Sequence, residues 1–182
     1  MQPQPKWQIR PEAPDDASAV ESLVALGFGP GRFAKTAYRL REGVSPVPQL
    51  SFIAVRQTTD ELLGSVRFWP IQIGTHASLL LGPLAVQPDL RGQGIGIALM
   101  QHGLEASRRC GYESVIQVGY EPYYAKVGFA RLPPGRIQFP GPVDAARILG
   151  LSLVPGAMLV LSGEVRRAGI DAPVCAQSAP LG

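Results

Sequence analysis

The chain has 182 residues, 46% of them hydrophobic and 17% charged, with a formal net charge of +3. That suits one globular domain with a real core, and a basic excess this small fits an anionic ligand but gives no ground for nucleic acid. The start lacks the apolar stretch of a signal peptide and no run approaches the ~20 residues that span a bilayer, so a cytoplasmic protein with no membrane partner is expected.

In chain order, Lys6–Arg10 alternates and reads as a first strand. Asp15 or Asp16 supplies a helix cap, and Ala17–Leu26 carries apolar residues at helical spacing until "GFGPG" breaks it. Phe33–Arg41 reads as a second short helix. Ser51–Gln57 is a strand, and Leu62–Gly74 pairs back on it, with Pro70 tolerable only at an edge or bulge. His76–Pro88 is a fourth strand, interrupted by Gly82-Pro83. A helix over Ile95–Cys110 follows, and Ser114–Tyr120 is a buried fifth strand. "EPYYAKVGF" is a short helix ending at Gly128. A Gly- and Pro-rich loop covers Pro133–Pro142, a short helix is expected over Val143–Leu149, and Ala157–Arg167 reads as a last strand. The expected domain is 1–167, with 168–182 a loose tail. Cys110 and Cys175 have no metal-like or CxxC spacing and are expected as reduced thiols.

The order is a hairpin group and then a strand–helix–strand crossover, hence a mixed α/β sheet with helices on both faces. At ~100° per residue, Ile95, Leu99, Met100, Leu104 and Ala106 share one side of the crossover helix, and Gln101, His102, Glu105, Arg108 and Arg109 the other. Its start is unusual. "RGQGIG" (Arg91, Gly92, Gln93, Gly94, Ile95, Gly96) places three glycines where helix formation begins, although glycine costs about 1 kcal/mol against alanine in a helix. A helix N-terminus is a ring of unpaired N–H donors with partial positive charge, and glycines let a phosphate approach it. Arg91 adds a permanent charge at the rim. The dinucleotide pattern fails because Ile97 stands at its third glycine position. The P-loop fails because no Lys and Ser or Thr follow the last glycine.

What fits is Arg-x-x-Gly-x-Gly, through Arg91, Gly94 and Gly96. It resembles the acyl-CoA pyrophosphate loop of the GNAT superfamily of acetyltransferases. "LGPLAVQPDLRGQGIGIALM" is similar to that family's fourth strand, loop and third helix, and Tyr124, Gly128 and Phe129 match its Tyr-x-x-x-Gly-Phe element. In detail the chain resembles the YhbS-like bacterial subgroup over most of Trp7–Arg167.

The resemblance implies a mixed sheet of about six to seven strands, with a bulged fourth strand splayed from the fifth. It implies acetyl-CoA as co-substrate, no metal, an amine acceptor that is a small molecule or peptide, and a homodimer. The pantetheine arm would pair with the backbone of Leu84, Ala85 and Val86. A backbone N–H near Leu84 or Ala85 would serve the oxyanion, and Tyr124 the departing thiolate, with Tyr123 as substitute. The base is less defined: the fourth strand has no carboxylate. Glu121 is the candidate, against its reading as a solvated carboxylate at a helix start. Gly27–Phe33 and Pro133–Pro142, where the family's acceptors bind, carry no strong charge signature. The other reading of the same fold is a CoA-binding sensor or partner-binding module without catalysis.

Overall fold

The apolar runs of the first half of the chain build an antiparallel meander. In the computed structural model, which describes residues 6–168 and Cys175, β1 (Trp7–Pro11), β2 (Phe52–Arg56), β3 (Leu62–Ile73) and β4 (His76–Val86) pair antiparallel in that order. β4 then pairs parallel with β5 (Ser114–Val118). Parallel neighbours need a long crossover, and α3 (Ile95–Arg109) is that crossover. Short strands complete the sheet: β6 (Ala130–Arg131), β7 (Ile137–Gln138), β8 (Ile148–Ser152) and β9 (Gly163–Arg167). The main order is β1-β2-β3-β4-β5-β8-β6, with β9 on the far end of β3 and β7 on β9.

Strand alternation sorts the core into two faces. Phe52 and Ala54 of β2 join Leu99, Met100 and Leu104 of α3 in one buried cluster. Ile53 and Val55 point the other way, to Val20, Leu23 and Val24 of α1 (Ala17–Phe28). Each fully buried side chain of this kind is worth about 1.5–3 kcal/mol. Helix α3 sits close on the sheet because Gly103 has no side chain: a Cβ there would overlap the Phe68 ring. Pro70 lies between the last β2 partner on β3, at Val66, and the first β9 partner, at Ile71. It occupies a local edge, as its missing N–H requires.

Four expectations are corrected. The helix expected over Val143–Leu149 is a 3₁₀ turn (Ala145–Arg147) and then β8, which pairs antiparallel with all of β5. The five residues of β8 are too few to carry a readable period, and pairing with β5 decides their state. The strand expected over Ala157–Arg167 begins only at Gly163; Ala157–Val160 is a helical turn, α5, with Leu159 and Val160 exposed. An apolar last strand therefore gives no ground for a homodimer. Asp16 does not cap its own helix with its side chain: its carboxylate accepts the Ala13 N–H at 2.7 Å and pairs with Arg10 at 2.7 Å. The second short helix is only Thr36–Arg39, α2, after a 3₁₀ turn over Pro30–Ala34.

The cysteines also depart from expectation. Cys110, at the C-terminal cap of α3, is disulfide-bonded to Cys175, with Cα atoms 4.5 Å apart. Spacing along the sequence held no information on this proximity. Apart from Ala168 and Cys175, the expected tail lies outside the described residues. The bond joins positions 65 residues apart, which in the chain-entropy account contributes up to about 4 kcal/mol. Thiol titration of the unfolded, unreduced protein is expected to find no free thiol. Cys175→Ser is expected to lower unfolding stability by no more than that amount. Two titratable thiols would overturn the pairing.

Candidate active site

The site begins with one extra residue in β4. Val66 faces Leu84 and Phe68 faces Leu81, so Gly82 and Pro83 together oppose Arg67. This is the bulge expected from Gly82-Pro83, and their peptide bond is cis. The buried Trp69 Nε1–H donates to the Gly82 carbonyl at 2.6 Å and fixes it. On its other edge β4 meets β5 only at Leu79↔Val115 and Leu80↔Ile116. Beyond the bulge the two strands part. Leu84, Ala85 and Val86 keep partners on β3 alone.

The gap opens on a cavity of about 430 Å³ lined by Leu84, Ala85, Val86, Arg91, Gly92, Gly94, Ile95 and Gly96. Gln93 is exposed and lies off its wall. The glycines have different reasons to be there. Gly92 and Gly94 have φ of 82° and 85°, a left-handed backbone that turns the loop into α3. Gly96 is needed for close approach, because a Cβ there would overlap the Tyr123 hydroxyl. The first bond of the helical ladder runs from the Ala98 N–H to the Gly94 carbonyl, at 3.0 Å. The N–H groups of Ile95, Gly96 and Ile97 therefore precede the ladder, at the positive end of a 15-residue helix.

Tyr124 closes α4 (Glu121–Tyr124), directly after β5. Its ring lies over Gly119, where a Cβ would overlap it, and meets Tyr123 and Phe129 edge-on at 5.3 and 6.0 Å. Gly128, at φ 105°, ends the turn and sends Phe129 into the core beneath the tyrosine. That is the physical content of the Tyr-x-x-x-Gly-Phe spacing. Burial, with a smaller effect from Tyr123, pushes the Tyr124 hydroxyl up to about 12, against a hydrogen bond with Gln117. Glu121 lies elsewhere: its carboxylate accepts a bond from Arg131 at 2.8 Å, and it lines neither cavity. His76, at the β3–β4 turn, lines neither cavity.

A second cavity, of about 760 Å³, adjoins the first, and Phe28, Leu84, Tyr123, Tyr124 and Lys126 line both. Phe28, Arg32 and Pro142 come from the two segments singled out for the acceptor. The sequence reading passed over Arg41, Gln117 and Arg147, which also line it. Arg41 lies between the Tyr38 and Trp69 rings, its guanidinium carbon 5.1 and 5.7 Å from their centroids. Its Nε is buried and has no hydrogen-bond partner among the described residues, and burial lowers its pKa to about 10. Among the described residues, no group of three or more His, Cys, Asp or Glu could hold a metal ion, and no helix is long and apolar enough to cross a membrane.

A mixed sheet opened between a bulged strand and its parallel neighbour, with a glycine loop leading into a helix, is the arrangement of a GNAT domain. The family model described as "Acetyltransferase (GNAT) domain" matches residues 48–131. The uncharacterized N-acetyltransferase YhbS of Escherichia coli is 32% identical over 146 residues, covering 77% of this chain and 84% of that one. The crystal structure of Escherichia coli YhbS in complex with CoA superposes with a TM-score of 0.76, at 26% identity, over 92% of this chain and 93% of that one. A GNAT family acetyltransferase from Brucella melitensis, solved in complex with acetyl-CoA, shares the fold with a TM-score of 0.65 at 24% identity, over 90% of this chain and 96% of that one. The chain belongs to the GNAT family of acetyltransferases, and so to the acyltransferase class of enzymes.

The half-buried Tyr124 has a measurable consequence. The chain has 5 tyrosines. In an alkaline absorbance titration Tyr124 is expected to ionise near pH 12, and this late step is expected to vanish in Tyr124→Phe. The sign follows from linkage: an unfolded tyrosine ionises near pH 10, so the folded state loses stability as pH rises from there towards 12.

Proposed function

We propose that the protein moves an acetyl group from acetyl-CoA to the amine of a small-molecule or peptide acceptor by direct attack on the thioester. The observation that carries this reading is the meeting of the two cavities at Leu84 and Tyr124. CoA occupies the smaller one, its pyrophosphate on the N–H groups of the Arg91–Gly96 loop and its pantetheine arm along the unpaired edge of Leu84, Ala85 and Val86. The acceptor occupies the larger one. The CoA-bound and acetyl-CoA-bound relatives support this assignment.

The neutral amine attacks the acetyl carbonyl carbon, and the carbonyl π pair moves to oxygen. A backbone N–H near Leu84 or Ala85 stabilises that oxyanion. As it collapses the C–S bond breaks, and the thiolate leaves with the bonding pair. Tyr124 is the donor to this sulfur. A thiol has a pKa near 8.5, so full proton transfer from a phenol at about 12 is uphill by roughly 5 kcal/mol before burial shifts the thiol too. Tyr124 therefore donates a hydrogen bond, and the proton that neutralises the thiolate is the one the attacking nitrogen, an ammonium in the tetrahedral intermediate, gives up as it becomes the amide.

Glu121 has no part in this scheme, since it pairs with Arg131 off the cavity wall. Asp144 is the one carboxylate on the larger cavity's wall, and it caps a 3₁₀ turn. The acceptor reacts as its neutral form without a dedicated base. The same lack of a placed base favours the second reading, a CoA-binding module without catalysis. A free-thiol assay with acetyl-CoA and a panel of amines separates the two, since the module releases no CoA above the uncatalysed rate.

Calorimetric titration tests the loop. Gly94→Val places a branched side chain at a left-handed position, so a melting curve must first show the variant folded. CoA affinity is then expected to fall at least about tenfold, and several-fold in Arg91→Ala. Undiminished affinity in both variants would exclude the loop as the phosphate site. A hydrogen bond to a charged sulfur is worth about 1.5–3 kcal/mol, so Tyr124→Phe is expected to slow turnover roughly 10- to 150-fold with little change in CoA affinity. A rate within about twofold of wild type, with acetyl transfer rate-limiting, removes Tyr124 from the mechanism.

A further inference from the structure

The larger cavity carries charge that acetyl transfer alone does not call for. Among the described residues, five cationic side chains line it (Arg32, Lys35, Arg41, Lys126 and Arg147) against the single carboxylate of Asp144. That carboxylate accepts the Ala146 N–H at 2.9 Å. Most amines reach an enzyme as ammonium ions. A cationic wall disfavours a lone ammonium, so net charge selects against a simple alkylamine.

Arg41 stands out in this field when set beside its neighbour Arg67. Arg67 is buried but fully matched: Glu12 takes two of its donors at 2.9 and 2.5 Å, and Glu21 a third at 2.7 Å. Among the described residues no carboxylate lies within ion-pair distance of Arg41. It rests on the Tyr38 and Trp69 rings, hydrogen-bonds with Tyr38, and leaves its buried Nε–H without an acceptor. A guanidinium edge in that state matches a two-oxygen anion. Neither Arg41 nor Arg147 lines the glycine-loop cavity, so this charge is separate from the CoA phosphates' site.

We propose that the acceptor is a small amine that also bears an anionic oxygen group, a carboxylate or a phosphate, and that this group docks on Arg41 with Arg147 beside it. The inference rests on the acetyltransferase reading of the site. It also bounds the acceptor's length. From the position a Gly82 Cβ would take, Arg41 Nη2 is 3.0 Å and Gln117 Oε1 3.6 Å away. Gln117 in turn hydrogen-bonds with Tyr124, and Arg147 and Arg41 both act electrostatically on that tyrosine. One amide side chain thus separates the anion site from the reacting end. The amine and the anionic group are a few bonds apart, as in amino acids and amino phosphates.

Paired probes test this. Each amino acid of a panel is compared with its amide, and phosphoethanolamine with ethanolamine. The readouts are CoA release from acetyl-CoA and calorimetric binding to the CoA-loaded protein. At least one anionic member is expected to exceed its neutral partner by about tenfold or more in kcat/KM or affinity. The two kinds of pair tell carboxylate from phosphate. Arg41→Gln is expected to cut that preference to below about threefold with CoA affinity unchanged; Arg147→Ala serves if that variant does not fold. Equal use of the neutral members, no binding by any anionic member, or a preference that survives the substitution overturns the proposal. Failure of CoA itself to bind the wild-type protein overturns the acetyltransferase reading instead, and the inference with it.

Discussion

One extra residue in one strand governs this molecule. Where Gly82 and Pro83 face the single Arg67, β4 can no longer run parallel to β5, and their pairing stops after Leu80 and Ile116. A sheet continued past that point would have closed its backbone groups on each other. The opened one leaves the edge of Leu84, Ala85 and Val86 for a ligand. Trp69, held to the Gly82 carbonyl by its indole N–H, keeps the bulge in one place. The same ring forms one wall of the slot that holds Arg41. The defect that opens the sheet beside Leu84, Ala85 and Val86 thus also positions Arg41.

Arg67 and Arg41 show how partnering separates structure from function. Arg67, opposite the bulge, is saturated by Glu12 and Glu21, which ties β1 and α1 to β3. Removing the buried Glu12 would cost about 3–5 kcal/mol because a charge is left uncompensated, while Glu21, 56% exposed, contributes less. Glu12 and Glu21 are therefore committed to the fold. Arg41 shares that low-dielectric region without an ion-pair partner, and burial shifts it downwards while burial of Arg67 is outweighed by its carboxylates.

How much of this was legible in the sequence depended on how local each cause was. The meander, the crossover and the helix over Ile95–Arg109 follow from period and length alone. Gly92, Gly94 and Gly96 marked the loop because glycine at a helix start is costly without a backbone reason, and Gly82-Pro83 marked the bulge because proline cannot pair. The splay, the fold family and the role given to Tyr124 came from resemblance to a family, and the packing of Phe129 beneath the tyrosine supplies the reason for that spacing. Non-local causes were silent. Ile148–Ser152 is a strand only because β5 offers it an edge. Cys175 meets Cys110 across a separation of 65 residues. The cationic cavity is drawn from Arg32, Arg41, Lys126 and Arg147, which sit on four separate segments, none basic enough to stand out.

The missing base and the surplus of cations are two aspects of one design. A carboxylate base near the thioester would itself attract the ammonium form of the acceptor and raise its pKa, opposing the deprotonation it is meant to perform. A cationic wall does the reverse. On the proposed reading, Arg147, Lys126 and Lys35 at the cavity would lower the proton affinity of an amine brought in, while an anion on Arg41 would hold that amine by its other end. Attraction and deprotonation then act on different atoms of one molecule. In the proposed mechanism Tyr124 completes the arrangement from the sulfur side. Its high pKa keeps it a neutral donor throughout the range in which an amine can lose its proton, so the donor to the leaving group does not switch off as the nucleophile switches on.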